Sequence, residues 1–145
     1  MNHKYRISTL LGAGLLGFVF LTLPASSQDN ESISVKEIMD SMITPNTNAL
    51  WGAYEVTTDE QWLALEAAAN AVLAAADMLT TGGSNAQDQA KAINEDWQQF
   101  NRDMMAAGRA ALAAIKARDE EALFNAGNDL LYPPCESCHS RYMAQ

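Results

Sequence analysis

Five residues near the C-terminus, Cys135-Glu136-Ser137-Cys138-His139, have the types and spacing to do chemistry. They read C-x-x-C-H, the pattern at which a c-type haem is attached. The two thiols can add across the two vinyl groups of the porphyrin, and the two-residue spacer sets the sulfur separation those groups require. His139, next in the chain, can then reach the iron as the proximal ligand, which leaves the protein to set the opposite axial position, the burial and the polarity. The expectation is one covalent haem c, held by Cys135, Cys138 and His139. Other uses of these residues are a vicinal disulfide, a thioredoxin-like redox pair, or zinc. The redox pair expects a βαβ pattern that does not accompany the motif. Zinc prefers four ligands, and residues 28–145 have no Cys or His beyond the motif. That single histidine, with no serine, carboxylate or second thiol set beside a base, argues against an enzyme.

The chemistry needs an exported chain, and the N-terminus reads as an export signal. Lys4 and Arg6 form a basic start, residues 7–23 are largely apolar, and Pro24-Ala25-Ser26-Ser27 supplies small residues for a cut after Ser27. An uncleaved anchor is the alternative, since the apolar run is at the lower edge of what spans a bilayer. Bacteria attach haem c outside the inner membrane, so the expected location is the periplasm of a Gram-negative bacterium. Residues 28–145 then form one domain of 118 residues, enough for one core but hardly two. This part holds all 18 acids against seven bases, a formal charge of −11 before propionates are counted. Such a surface repels nucleic acid and anionic lipid and favours a redox partner with a basic docking face, or simply keeps the protein soluble.

Hydrophobic spacing predicts helices throughout, and no strand. Ser34 and Glu37 form a capping box before Val35, Ile38, Met39, Met42 and Ile43, an apolar stripe that Pro45 is expected to kink or break between Ser41 and Pro45. Leu50 and Trp51 turn inward after it. A second helix starts at Thr58-Asp59-Glu60-Gln61, runs through Trp62, Leu65, Ala69, Val72, Leu73, Ala76 and Leu79, and stops at Thr81-Gly82-Gly83. A polar loop through Asp88 leads to a third helix centred on 94–117, with Ile93, Trp97, Phe100, Met104, Ala107, Ala111 and Ile115 as its seam. Gly108 in that helix implies close approach of a neighbouring helix or the haem. Asp119 caps a fourth helix with Leu123, Phe124, Leu130 and Leu131 as apolar contacts, and Pro133-Pro134 is expected to break it ahead of a short segment carrying the motif.

Four helices in this length, with C-x-x-C-H close to the C-terminus, resemble the class II cytochromes c: cytochrome c-prime and its low-spin relatives. The resemblance covers nearly all of residues 28–145, and its specific parts are Cys135, Cys138 and His139. It implies an all-α, antiparallel four-helix bundle with haem between the helices and a first-helix residue over the distal face. By register that residue is Met42, with Met39, one turn earlier, as the fallback. A methionine bonded to iron would make a low-spin electron carrier; a distal position left vacant would make a five-coordinate protein that binds nitric oxide or carbon monoxide. The resemblance also implies a homodimer through the first two helices. The family's basic residue one turn before the distal position is replaced here by Ile38, which leaves Lys36, Arg102 and Arg141 as candidates to meet the propionates. Met78, Met104, Trp51, Trp62 and Trp97 read as core side chains, some of which could touch the porphyrin.

Overall fold

Ser34 opens the first helix as the capping box requires: its hydroxyl accepts from the Glu37 amide at 3.3 Å, and Glu37 Oε2 accepts from the Ser34 amide at 2.8 Å. The structure, a computed structural model, describes residues 33–143, and these are helical with no strand among them. The expected signal segment, 1–27, lies outside the described residues.

The helices α1 (Val35–Ile38) and α2 (Thr44–Trp51) do not break apart at Pro45. A π-helical turn, Met39–Ile43, joins them, with the Thr44 amide donating to the Met39 carbonyl five residues back. The proline ring has no N–H for the Ser41 carbonyl and would crowd it in an α-turn. Widening the preceding turn by one residue lets the chain pass the ring without losing helical direction. The same device recurs near the C-terminus. There α6 (Glu120–Asn125) runs into a second π-turn, Ala126–Leu131, and on into α7 (Tyr132–Tyr142), with Pro133 and Pro134 in its first turn. The expected break at Pro133-Pro134, and the short separate segment after it, are therefore replaced by one continuous helical run from 120 to 142.

Between these runs lie α3 (Asp59–Leu79) and α5 (Glu95–Ala117). Thr58 and Gln61 cap α3 as expected. The stretch expected as polar loop contains a short helix, α4 (Ala86–Ala92), capped by Asn85. Ile93 follows it in the joint before α5 and is 84% exposed, so it is no part of the seam. The long helices α3 and α5 pack closely. Gly108 is the reason: a Cβ there would lie 2.9 Å from Cδ2 of Leu73, so a neighbouring helix, rather than a cofactor, occupies the space beside it. Trp97 Nε1 donates to the Leu79 carbonyl at 2.9 Å, and Asn101 Nδ2 donates to the Ala76 carbonyl at 2.8 Å and to Thr80 Oγ1 at 2.9 Å, tying α5 to the end of α3.

The buried core holds Ile38, Val72, Leu123 and Leu131 with Trp62, Leu65, Ala69, Ala76, Ala107 and Ala111. Small residues on α3 and α5 let the backbones approach, and the larger side chains fill the gaps. By length and composition α3 could cross a membrane, but its apolar stripe is buried in this core. Phe124 and Leu130, expected as core contacts, are instead about half exposed at 46% and 50%; Leu123, Ala126, Gly127, Leu131 and Pro134 supply the buried face of that run.

Candidate functional site

The motif sits on α7, and the continuity of the helical run decides its chemistry. Because the π-turn feeds directly into α7, Cys135 does not stand at a free helix N-terminus, where unpaired amides would favour a thiolate. Burial instead pushes the Cys135 thiol up to about 11. The Cys138 thiol is also raised, first by burial and then by the negative charge of Asp96. Both cysteines are free and half-buried.

Asp96, in the first turn of α5, anchors the end of α7. Its Oδ1 accepts from the Tyr142 hydroxyl and from the Trp97 amide, and its Oδ2 accepts from Arg141 Nε at 3.0 Å. The Trp97 and Tyr142 rings meet edge to face, centroids 5.1 Å apart. These bonds hold the Asp96 carboxyl below its ordinary range, with the Tyr142 hydroxyl as the main cause, and Tyr142 is raised in turn by partial burial and by the carboxylate. This cluster fixes the orientation of the turn that carries Cys138 and His139.

Beside the motif is an apolar cavity of about 260 Å³. Pro134, Cys135, Cys138, His139 and Met143 line it from α7, Trp97, Phe100, Asn101 and Met104 from α5, and Leu79 from the end of α3. The first helical run contributes Met39, Ile43, Thr44, Thr47, Asn48 and Trp51, with Asp40 beside them. Met42 is not among the lining residues; it is half-buried against the core. The π-turn accounts for the difference. A wider turn rotates the chain less per residue, so positions four and five beyond Met39 come under it and position three does not. Of the side chains read as core, Trp51, Trp97 and Met104 reach the cavity, while Met78 and Trp62 do not.

The residues fit a c-type haem by the chemistry of their donors: two thiols, an imidazole and a thioether share one apolar-walled cavity. Among the described residues no group of three or more His, Cys, Asp or Glu side chains is gathered to hold a bare metal ion. None of the three candidate propionate partners lines the cavity. Lys36 pairs with Asp40 and Arg141 with Asp96, and Arg102 donates to Gln99.

Sequence reading missed Thr44, Thr47, Asn48 and Asn101 on the cavity wall, as well as the Asp96–Tyr142 anchor. The 39, 43, 47, 51 spacing was legible, but the stripe through Met42 competed with it. Asn101, in the middle of an otherwise apolar seam, was the visible anomaly: it is 6% exposed, and its Oδ1 has no hydrogen-bond partner.

No family model, no curated protein and no solved structure matches the chain.

Proposed function

We propose that this chain is a mono-haem c-type cytochrome, exported to the periplasm of a Gram-negative bacterium, that passes single electrons. The observation carrying this reading is that Cys135, Cys138, His139 and Met39 line one cavity. Cys135 and Cys138 would hold the porphyrin as thioethers, His139 would be the proximal ligand, and Met39, in place of Met42, the distal one. Haem supplies an iron centre that cycles between two oxidation states, and a soft thioether ligand favours the reduced one. The chain's own part is to hold the four ligating groups, to keep water away with Trp97, Phe100, Met104 and Leu79, and to fix the motif turn through Asp96 and Tyr142.

In this reading the helical runs 35–51, 59–79, 95–117 and 120–142 form an antiparallel four-helix bundle of the cytochrome c-prime type, with the motif inside the fourth helix rather than after it. A homodimer through the first two runs would cover Leu63 of α3, which is 64% exposed.

Two measurements test the reading. A haem stain on a denaturing gel, after expression with haem-attachment machinery, should be positive for the natural chain and negative when Cys135 and Cys138 are both changed to Ala. The oxidised protein should show the weak long-wavelength charge-transfer band of methionine ligation. Its absence, with nitric oxide or carbon monoxide binding readily, would establish the five-coordinate alternative and remove electron transfer through Met39.

A further inference from the structure

The end of α2 and the run 120–142 present a strip of aromatic rings to solvent. Trp51, whose side chain lines the cavity, meets Tyr132 edge to face with centroids 6.4 Å apart. Three residues past the end of α2, Tyr54 meets Phe124 at 6.3 Å. Both pairs join the same two segments of the chain. Gly127 sits between Phe124 and Tyr132, its carbonyl accepting from Trp51 Nε1 at 2.9 Å. Tyr54, Phe124 and Tyr132 are 64%, 46% and 51% exposed. Large aromatic rings left in water as a group mark an interaction surface more often than a lone exposed side chain does.

The charge around the strip says what would cover it. Segments 44–58 and 119–140, from which these rings come, contain six acids and not one Lys or Arg, with Arg118 and Arg141 at the ends of the second, paired to Asp59 and Asp96. Three of the acids flank the rings: exposed Glu55 beside Tyr54, Glu120 one turn before Phe124, and Glu136 one turn after Tyr132. The Val56 amide donates to Glu120 Oε1 at 3.1 Å, which holds that carboxylate next to the Tyr54 loop. A second copy of this chain would bring the same negative charge and be repelled, whereas a partner with lysines around an apolar centre would be attracted and steered in.

We infer that the strip Tyr54–Phe124–Trp51–Tyr132 is the docking face for a basic redox protein, placed where one of its rings is also a wall of the haem cavity. The inference rests on the cytochrome reading. The exchange moves one electron from the reduced protein to the oxidised partner, with no bond made or broken.

The test uses the haem-loaded chain and a basic ferric cytochrome c of the mitochondrial type as probe. At low salt, stopped-flow rates of electron transfer to the probe should fall about tenfold for Glu136→Lys and for the double variant Tyr54→Ser/Phe124→Ser. They should fall far less for Asp77→Lys, an equal charge change on α3. Oxidation of the double variant by ferricyanide should be unchanged. Equal slowing by Asp77→Lys, or no slowing by the double variant, overturns the docking face and leaves the cytochrome reading intact. A negative haem stain for the natural chain overturns the cytochrome reading itself. Amide shifts of the isotope-labelled chain on titration with the probe do not depend on electron transfer, and they should concentrate at residues 51–56, 124 and 132. Shifts that map elsewhere, or sedimentation showing a dimer that the Tyr54→Ser/Phe124→Ser change dissociates, likewise overturn it.

Discussion

At the scale of single residues, Met39 and Met42 separate cleanly. Both are methionines of the same π-turn, but only Met39 lines the cavity that Cys135, Cys138 and His139 also line. Met39→Ala should abolish the charge-transfer band of the oxidised haem protein, and Met42→Ala should leave it in place; visible spectra of the two variants decide the matter. Asn101 carries a different prediction. Its Nδ2 faces two acceptors, the Ala76 carbonyl and Thr80 Oγ1. Asn101→Asp replaces the donor with a third acceptor in a buried place, and should cost about 3 kcal/mol in guanidinium unfolding, near the upper end for a buried group left unpaired. Asp96 gives a pH dependence. Its native carboxyl ionises below the unfolded range, so its contribution is fully present above the ordinary Asp value of about 4 and is lost as the pH falls through the lower native value. Thermal melts should show a shallower acid limb for Asp96→Asn than for the natural chain.

At the scale of elements, proline sets the geometry that the site depends on. Pro45 denies the Ser41 carbonyl its α-helical donor, and the turn before it widens. Pro45→Ala restores that donor. The turn should return to α spacing and rotate Met39 off the cavity wall, so the loaded variant should weaken or lose the same charge-transfer band, although its own methionines are untouched. Gly127 constrains the second π-turn in a similar way. A Cβ there would stand 3.1 Å from Cδ1 of Trp51, whose indole N–H is already bonded to the Gly127 carbonyl. The indole is rigid and cannot yield as the Leu73 methyl beside Gly108 can. Gly127→Val should therefore cost about 2 kcal/mol by overpacking, while Gly108→Ala should be close to neutral, because a helical alanine regains about 1 kcal/mol. Chemical denaturation of the two variants checks the contrast.

At the scale of the whole molecule, the cavity forms where three distant parts of the chain converge: the first helical run, the start of α5 with the end of α3, and α7. The Asp96 anchor and the Trp97 and Asn101 bonds to α3 hold two of those parts in register. Leu63 is the whole-molecule counterpart of the aromatic strip, a large apolar side chain on the outer side of α3. If the proposed dimer forms there, Leu63→Glu should convert it to monomer in sedimentation at micromolar concentration without altering the haem spectrum.

The amino-acid sequence by itself determined the helical character, the capping of α3 and of the first helix, and the C-x-x-C-H motif on which the haem proposal rests. These are local properties: periodicity, a hydroxyl three residues from a carboxylate or amide, two thiols and an imidazole in one turn. It also showed where prolines interrupt the helices, but not how the chain would respond, because widening a turn and breaking it relieve the same clash. Packing decided between them. The apolar faces on both sides of each proline are buried against α3 and α5, so the run stays helical and the extra residue is absorbed as a π-turn. With it Met39, rather than Met42, stands at the cavity, and Cys135 lies inside a continuous helix. Both depend on how a helix is set against its neighbours, which no local pattern fixes.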